Sequence, residues 1–307
     1  MNDESLQDLY DAIESTGLIR RLFELARDED LGKDGHPGDV TSIAFDVPDH
    51  TIRAHVRARD AGTLAGLACV PTMIDVFAPR TLLQKTLDDG SLFGPGDTLA
   101  TLVGPAREVV EIERTLLNTL SRLSGVATLT ARYVEAVGSG TRAHVYDTRK
   151  TTPGLRVLEK YAVRCGGGRS HRLGLHDAVL VKDNHIASVA PDSLAERLRA
   201  ARARVTSPLQ FVQVEVDSLP QLDALLALDA GVIDIVLLDN MTMDQLREAV
   251  ARRDAHQPCL LLECSGGVRL DTIRDIARTG VDRISVGALT HQAVSLDIGL
   301  DVGIDGE

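Results

Sequence analysis

Residues 209–240 read "LQFVQVEVDSLPQLDALLALDAGVIDIVLLDN". Two short apolar runs, "LQFVQVEVD" and "IDIVLLDN", enclose the helical pattern "LPQLDALLAL". The first run ends at Glu215 and Asp217, the second at Asp239 and Asn240. Strand, helix and strand within about 30 residues form the unit of a parallel sheet, because a crossover must carry the chain back before it can pair in parallel.

The rhythm continues on both sides. "AHVYDTRKT" and "AVLVKDNHI" precede this stretch, and "CLLLECSGG" and "RISVGALTH" follow it. "PDSLAERLRAARARV", "TMDQLREAVARRDA" and "LDTIRDIARTG" supply further helices between them. Two helix starts are legible: Thr242 with Gln245 three residues on, and Asp271 before an apolar series that stops at Gly280. Buried strands alternating with helices predict a parallel α/β sheet, closed as a barrel or open as a doubly wound sheet. No GxGxxG or Walker A pattern follows any run, so dinucleotide and P-loop readings lack their fingerprints.

Ahead of Arg142 the pattern is mixed. "DLYDAIESTGLIRRLFELARDED" predicts helices, with Leu18, Ile19, Leu22, Leu25 and Ala26 at helical spacing. "TIRAHVRARDAGTLAG" alternates like an antiparallel strand pair turning near Asp60 to Gly62. "AREVVEIERTLLNTLSRLSGVATLTAR" predicts a long helix from Ala106 to near Arg132, interrupted at Gly125.

A chain of 307 residues can bury a large core, as one big domain or two unequal ones. The formal net charge of -12 argues against a nucleic-acid or membrane-surface binder, so any anion site must be a local positive pocket. Cys69, Cys165, Cys259 and Cys264 form no CxxC pair, and isolated thiols among apolar neighbours suit buried positions in a reducing cytoplasm. The acidic N-terminus lacks the apolar core of a secretory signal. "AGTLAGLACVPTMIDVFAP" carries Asp75 and two prolines, and predicts a strand and short helix rather than a membrane span.

Chemistry collects where the apolar runs end: Arg149 and Lys150, Lys182 and Asp183, Glu215 and Asp217, Asp239 and Asn240, and Ser265-Gly266-Gly267. In a parallel barrel these ends share one mouth. Solvated loops would be the bland explanation, but five chemically rich ends in succession favour a site. "RKTTPGLRVLEKYAVRCGGGRSHRLGLHD" carries Arg149, Lys150, Arg156, Lys160, Arg164, Arg169, His171 and Arg172 against two acids, Glu159 and Asp177. In an acidic chain this cluster points to a ligand with several negative charges, although Glu159 and Lys160 read as part of an exposed helix face. The glycine turns after "LLECS" and "ISV" suit phosphate oxygens. Glu215 and Asp239 could hold a divalent cation, bind sugar hydroxyls, act in glycoside hydrolysis, or simply form salt bridges. The basic cluster speaks against a neutral polysaccharide and for a ribosyl cation stabilised by the acids.

"EDLGKDGHPGDVTS", "ERTLLNTLSRLSGVAT", "DTRKTTPGLRVLEKYAVRCGGGRSHRLGL", "VLVKDNHI", "VEVDSL", "LLDNM", "SGGV" and "SVGALTH" occur in that order. With them the chain resembles the quinolinate phosphoribosyltransferases over nearly its whole length. The resemblance implies an N-terminal α/β sandwich domain, residues 1–117, with 290–307 returning to it. An incomplete parallel α/β barrel, residues 118–289, would carry the active site. It implies transfer of phosphoribosyl from 5-phosphoribosyl 1-pyrophosphate to quinolinate with Mg²⁺, giving nicotinate mononucleotide, pyrophosphate and carbon dioxide in NAD synthesis.

Carried over by motif, Arg149, His171, Arg172 and Lys182 would surround the quinolinate carboxylates. Arg114 would arrive from the neighbouring subunit of a homodimer or larger homo-oligomer. Thr148 and Lys150 would also contact substrate. Glu215 and Asp239 would bind the ribose hydroxyls or the metal, directly or through water. Ser265, Gly266 and Gly267 with Val286, Gly287 and Ala288 would hold the 5-phosphate. Lys150, Lys182, Glu215 and Asp239 are the catalytic candidates. Rival readings are a related phosphoribosyltransferase for another pyridine, a molybdenum-associated paralogue, and a non-catalytic sensor. The full cation set argues against the first two, and the retained acids against the third.

Overall fold

The computed structural model describes the chain apart from residues 1, 3, 34, 37, 48, 183–190, 206, 207 and 304–307. Contacts divide the chain into two compact units: Met1–Ala131 with Thr151–Gly167 and Leu289–Glu307, and Arg132–Lys150 with Gly168–Ala288. Helices α1 (Leu6–Glu14), α2 (Leu18–Leu31) and α3 (Val40–Ala44) come first. Then follow β1 (Thr51–Ala58), β2 (Gly62–Thr63), α4 (Val70–Phe77), β3 (Leu82–Lys85), β4 (Leu92–Phe93), β5 (Thr98–Pro105) and α5 (Ala106–Val137). The second half runs β6 (His144–Tyr146), α6 (Arg156–Cys165), β7 (Val179–Val181), α7 (Pro191–Arg204), β8 (Val212–Val216), α8 (Leu219–Leu226) and β9 (Ile235–Asp239). It ends with α9 (Met243–His256), β10 (Leu261–Ser265), α10 (Ile273–Arg278), β11 (Arg283–Ser285), α11 (Ala288–His291) and β12 (Ile298–Gly303).

The first unit holds an antiparallel sheet in the order β12-β1-β5-β3 and a two-stranded pair, β2 with β4. The hairpin expected from "TIRAHVRARDAGTLAG" does not form. Strand β1 pairs with β5 on one side and β12 on the other, so Ala54 faces both Leu102 and Val302. Gly62 instead lies against α5 and the tail, where a Cβ would meet Leu296 Cδ1 at 2.4 Å and Thr128 Oγ1 at 2.6 Å. The Thr63 N–H donates to Thr128 Oγ1 at 2.8 Å, which holds β2 away from β1.

Helix α5 continues through Gly125 rather than breaking there. A Cβ at Gly125 would lie 2.0 Å from the Val294 carbonyl oxygen, so the glycine marks a close approach by a neighbouring segment. In α2, Ile19 and Phe23 are buried, whereas Leu18 and Leu25 are exposed. The reading of Glu159 and Lys160 as an exposed face is also overturned, since both are buried. Glu159 accepts from Arg122 Nη2 at 2.7 Å and from the Thr152 N–H and Oγ1, each at 2.9 Å. Arg122 Nη1 also donates to the Ala293 carbonyl at 2.7 Å. A carboxylate out of water is tolerated when a cation and several donors surround it, as here. Cys69, Cys165 and Cys264 are buried as expected, but Cys259 is exposed.

The second unit is built on a six-stranded parallel sheet in the order β6-β11-β10-β9-β8-β7. Its helices bury Leu222, Leu225, Leu246, Ile273 and Ile276. Thr242 and Gln245 form the expected capping box on α9. Asp271 caps nothing: α10 begins after Thr272, and the Asp271 carboxylate instead accepts from Arg269 Nε at 3.0 Å.

Alternation along each strand separates two faces. Val212, Val214, Val236, Leu238, Leu262 and Ile284 lie on one, all fully buried. Gln213, Glu215, Asp239, Glu263, Ser265, Arg283 and Ser285 lie on the other. That second face curls inward. His171, next to β6, has Nε2 at 3.0 Å from Gln213 Oε1 on β8 and 3.2 Å from Glu263 Oε1 on β10. Arg283 on β11 stands 3.8 Å over the Tyr146 ring of β6 and 5.2 Å from that of Phe211, which directly precedes β8. Strands β6 and β7 are the sheet's unjoined ends, with Arg169 bridging to Tyr146 beside β6. The curved, unclosed sheet is an incomplete parallel α/β barrel.

Candidate active site

Strand register brings the candidate residues to one edge. Tyr146 pairs with Ser285, Ser265 with Asp239, Glu215 with Leu237, and Val181 with Val214. The strands are parallel, so their carboxyl ends share that edge, where open α/β sheets and barrels bind ligands. It carries Thr148, Arg149 and Lys150 after β6, Val286 to Ala288 after β11, Ser265 to Gly267 at β10, Asp239 at β9, Glu215 at β8 and Lys182 after β7. Arg114 belongs to the other unit. It lies on α5 with its side chain 66% exposed and Glu113 Oε1 at 3.7 Å, while Ile112, Leu116 and Leu120 of the same helix are fully buried. Asp183 lies outside the described residues.

The cationic part centres on Arg149 and Arg172. Arg172 is buried, and its Nη1 donates to the Ala178 carbonyl at a long 3.4 Å. Burial holds its pKa below the usual arginine value, and the nearby Arg149 cation adds to the effect, with Asp177 opposing. Arg149 Nε is buried with no hydrogen-bond partner among the described residues. Two guanidiniums close enough to feel each other's charge, one with a buried donor unmet among the described residues, favour an anion that both can share. Their planar forks suit carboxylates.

The backbone behind Arg172 is irregular, yet its amides are all met by side chains. The His171 N–H donates to Asp147 Oδ1 at 2.8 Å, and the Arg172 N–H to His171 Nδ1 at 2.8 Å. The Leu173 and Gly174 N–H groups donate to Asp177 at 2.6 and 3.0 Å. Composition marked the basic residues of this loop and counted Asp177 as one of its two acids, but did not show that Asp147 and Asp177 shape it. His171 itself turns into the barrel and is 6% exposed.

The acidic part is more open. Glu215 Oε2 accepts from Lys182 Nζ at 3.0 Å, so the salt bridge envisaged for this acid exists. Asp239 Oδ2 accepts from its neighbour Asn240 Nδ2 at 2.8 Å. Asn240 sits at φ 53 and its N–H donates to the Ser265 carbonyl at 2.9 Å. Gly266 has φ +91, and a Cβ there would lie 2.1 Å from Asn240 Oδ1. Only glycine fits. Gly267, at φ +60, meets nothing within 4 Å. Successive glycines of this hand let a backbone turn its N–H groups toward an anion. The Val286 N–H is already committed to the Tyr146 carbonyl at 2.9 Å, so that residue orients the adjoining turn through its backbone. Among the described residues, no group of three His, Cys, Asp or Glu side chains could hold a metal ion.

Family models for the quinolinate phosphoribosyl transferase N-terminal and C-terminal domains match residues 39–124 and 126–301. The chain belongs to the quinolinate phosphoribosyl transferase family. It is 44% identical over 288 residues to a nicotinate-nucleotide pyrophosphorylase [carboxylating] of Mycobacterium leprae, spanning 91% of this chain and 98% of the relative. A probable enzyme of the same name from Bacillus subtilis is 37% identical over 282 residues, spanning 91% of each. The solved nicotinate-nucleotide pyrophosphorylase of Francisella tularensis superposes with a TM-score of 0.82 at 33% identity, over 94% of this chain and 96% of that one.

Below the strand-end edge lies a layer that motif reading passed over. Gln213 and Glu263 precede Glu215 and Ser265 by two positions, hence on the same face and one layer deeper. Glu263 accepts from Arg283 Nε at 2.7 Å and from Ser285 Oγ. Burial pushes its pKa up, but His171, Arg283 and Ser285 outweigh this and hold it down to about 2. The available signal was a polar residue inside an apolar strand run: Gln213 in "FVQVEV" and Glu263 in "LLLECS".

Proposed function

We propose that this chain joins quinolinate to 5-phosphoribosyl 1-pyrophosphate and decarboxylates the adduct, releasing nicotinate mononucleotide, pyrophosphate and carbon dioxide. The Arg149–Arg172 pair carries the reading: two adjacent guanidiniums ask for a ligand with adjacent carboxylates, which quinolinate supplies and nicotinate does not. Thr148, Lys150 and Lys182 flank that ligand. Family membership supports the same reaction, which belongs to NAD synthesis.

The pyridine nitrogen attacks the anomeric carbon, and the bond to pyrophosphate breaks with its electron pair leaving on oxygen. Positive charge on the ribose peaks between these events, beside Asp239 and Glu215, whose fixed negative charges stabilise it. The resulting pyridinium accepts the electrons of the carbon–carboxylate bond as carbon dioxide departs. A proton from solvent then takes the vacated ring position. Arg149, Arg172 and Lys182 orient the ring so that its nitrogen faces the ribose, and positioning of two reactants supplies much of the rate. Ser265 to Gly267 and the Val286 to Ala288 turn receive the 5-phosphate. No side-chain nucleophile is required.

Asp239 and Glu215 fit Mg²⁺, which takes few protein carboxylates and keeps water and substrate oxygens as its other ligands. Glu215 is already paired with Lys182, which makes Asp239 the more available of the two. When bound, the ion neutralises charge on the departing pyrophosphate. Arg114, exposed in the single chain, completes a partner's quinolinate site in a homodimer. No described helix is long and apolar enough to cross a membrane, and the free thiols suit a reducing cytoplasm.

The test is turnover of the purified protein with 5-phosphoribosyl 1-pyrophosphate and Mg²⁺, using either quinolinate or nicotinate. Product absorbance and carbon dioxide release with quinolinate alone are expected. Turnover of nicotinate in preference to quinolinate, or binding of both without turnover, would refute the reading.

A further inference from the structure

The buried layer beneath the site bears on one of its residues. His171 Nδ1 accepts the Arg172 N–H at 2.8 Å, so the ring proton belongs on Nε2. Nε2 faces two acceptors, Gln213 Oε1 at 3.0 Å and Glu263 Oε1 at 3.2 Å. The Gln213 amide could present its NH₂ instead by rotating, and so cannot by itself decide which ring nitrogen carries the proton. An ionised carboxylate has no such freedom, because it only accepts. The ion pair with Arg283 keeps Glu263 in that form.

We propose that Glu263 is a positioning residue for the dicarboxylate half of the site. It fixes the His171 ring with Nε2–H inward and Nδ1 toward the Arg172 N–H, and so sets where the Arg172 guanidinium stands. On this assignment His171 acts through Arg172 rather than as a direct ligand of quinolinate. Both ring nitrogens are engaged within the protein, and the edge-on contact with Phe211, at 5.1 Å between centroids and 89°, steadies the ring plane. The inference rests on the reading of the Arg149–Arg172 pair as the quinolinate pocket.

Glu263→Gln is the discriminating change. Its size is conserved, but its amide can donate to Nε2, moving the ring proton to Nδ1, where it would oppose the Arg172 N–H. The KM for quinolinate should rise by about tenfold or more, while that for 5-phosphoribosyl 1-pyrophosphate stays within about twofold. Nitrogen-15 NMR of the imidazole in the wild-type protein should show the Nε2–H tautomer. Equal rises in both KM values, a loss confined to kcat, or an Nδ1–H ring in the wild-type protein would each overturn the proposal. If Glu263→Gln does not fold, the wild-type ring measurement decides alone. A wild-type protein inert toward quinolinate would refute the function, and the tautomer, read without substrate, would still decide the positioning.

Discussion

Replacing Arg172 by Met keeps a stem of similar length and removes the charge. In the free protein that charge is poorly provided for. The side chain is 8% exposed, its Nη1 contact is a long 3.4 Å, and Arg149 repels it. A charge-assisted hydrogen bond to a carboxylate is worth about 1.5–3 kcal/mol, so losing it should weaken quinolinate binding by about 10- to 140-fold. Binding of 5-phosphoribosyl 1-pyrophosphate should be nearly unchanged, because the contacts proposed for its ribose and 5-phosphate lie at other strand ends. The melting temperature of the free protein should not fall, since a buried cation facing another cation disappears with little loss of packing. Calorimetric titration with each ligand and a scanning melt measure all three quantities. Equal weakening of both ligands would place Arg172 in the wrong half of the site. A melting temperature several degrees lower, with quinolinate affinity intact, would make it a structural residue.

Asp239→Asn preserves shape but removes charge from the place proposed for the ribosyl cation, so turnover should fall more than quinolinate affinity; unchanged turnover in steady-state assays would end the electrostatic role. Gly266→Ala meets Asn240 at 2.1 Å as well as an unfavourable φ, whereas Gly267→Ala meets only the latter. The backbone hand alone should cost about 1–2 kcal/mol, so denaturant melts should show Gly266→Ala as clearly the worse of the two. Mixing Arg114→Ala with Lys182→Ala protein should restore up to about a quarter of wild-type activity, because random exchange makes half the dimers mixed, each with one intact site. No recovery despite demonstrated subunit exchange would confine Arg114 to its own subunit.

The sequence by itself determined the parallel sheet. Each of its apolar runs became a strand, since β-branched residues between helical patterns leave few other arrangements. The strand-end residues were legible for the same reason: parallel strands put all their carboxyl ends on one edge, so reading where each run stops amounts to reading the candidate site. The cation cluster stood out because its charge departs from that of an acidic chain. Tertiary structure decided what was buried. Glu159 reads as a helix-face acid until Arg122, a helix away, and Thr152 close around it. Nothing in the motif around His171 shows that the curl of the sheet brings Gln213 and Glu263 to its ring. Gly125 reads as a helix break until the Val294 carbonyl arrives beside it. Periodicity is a local property and survives in any short window. Whether a polar group is solvated, paired or pressed against a distant backbone depends on residues far along the chain, and only the closed fold brings them together.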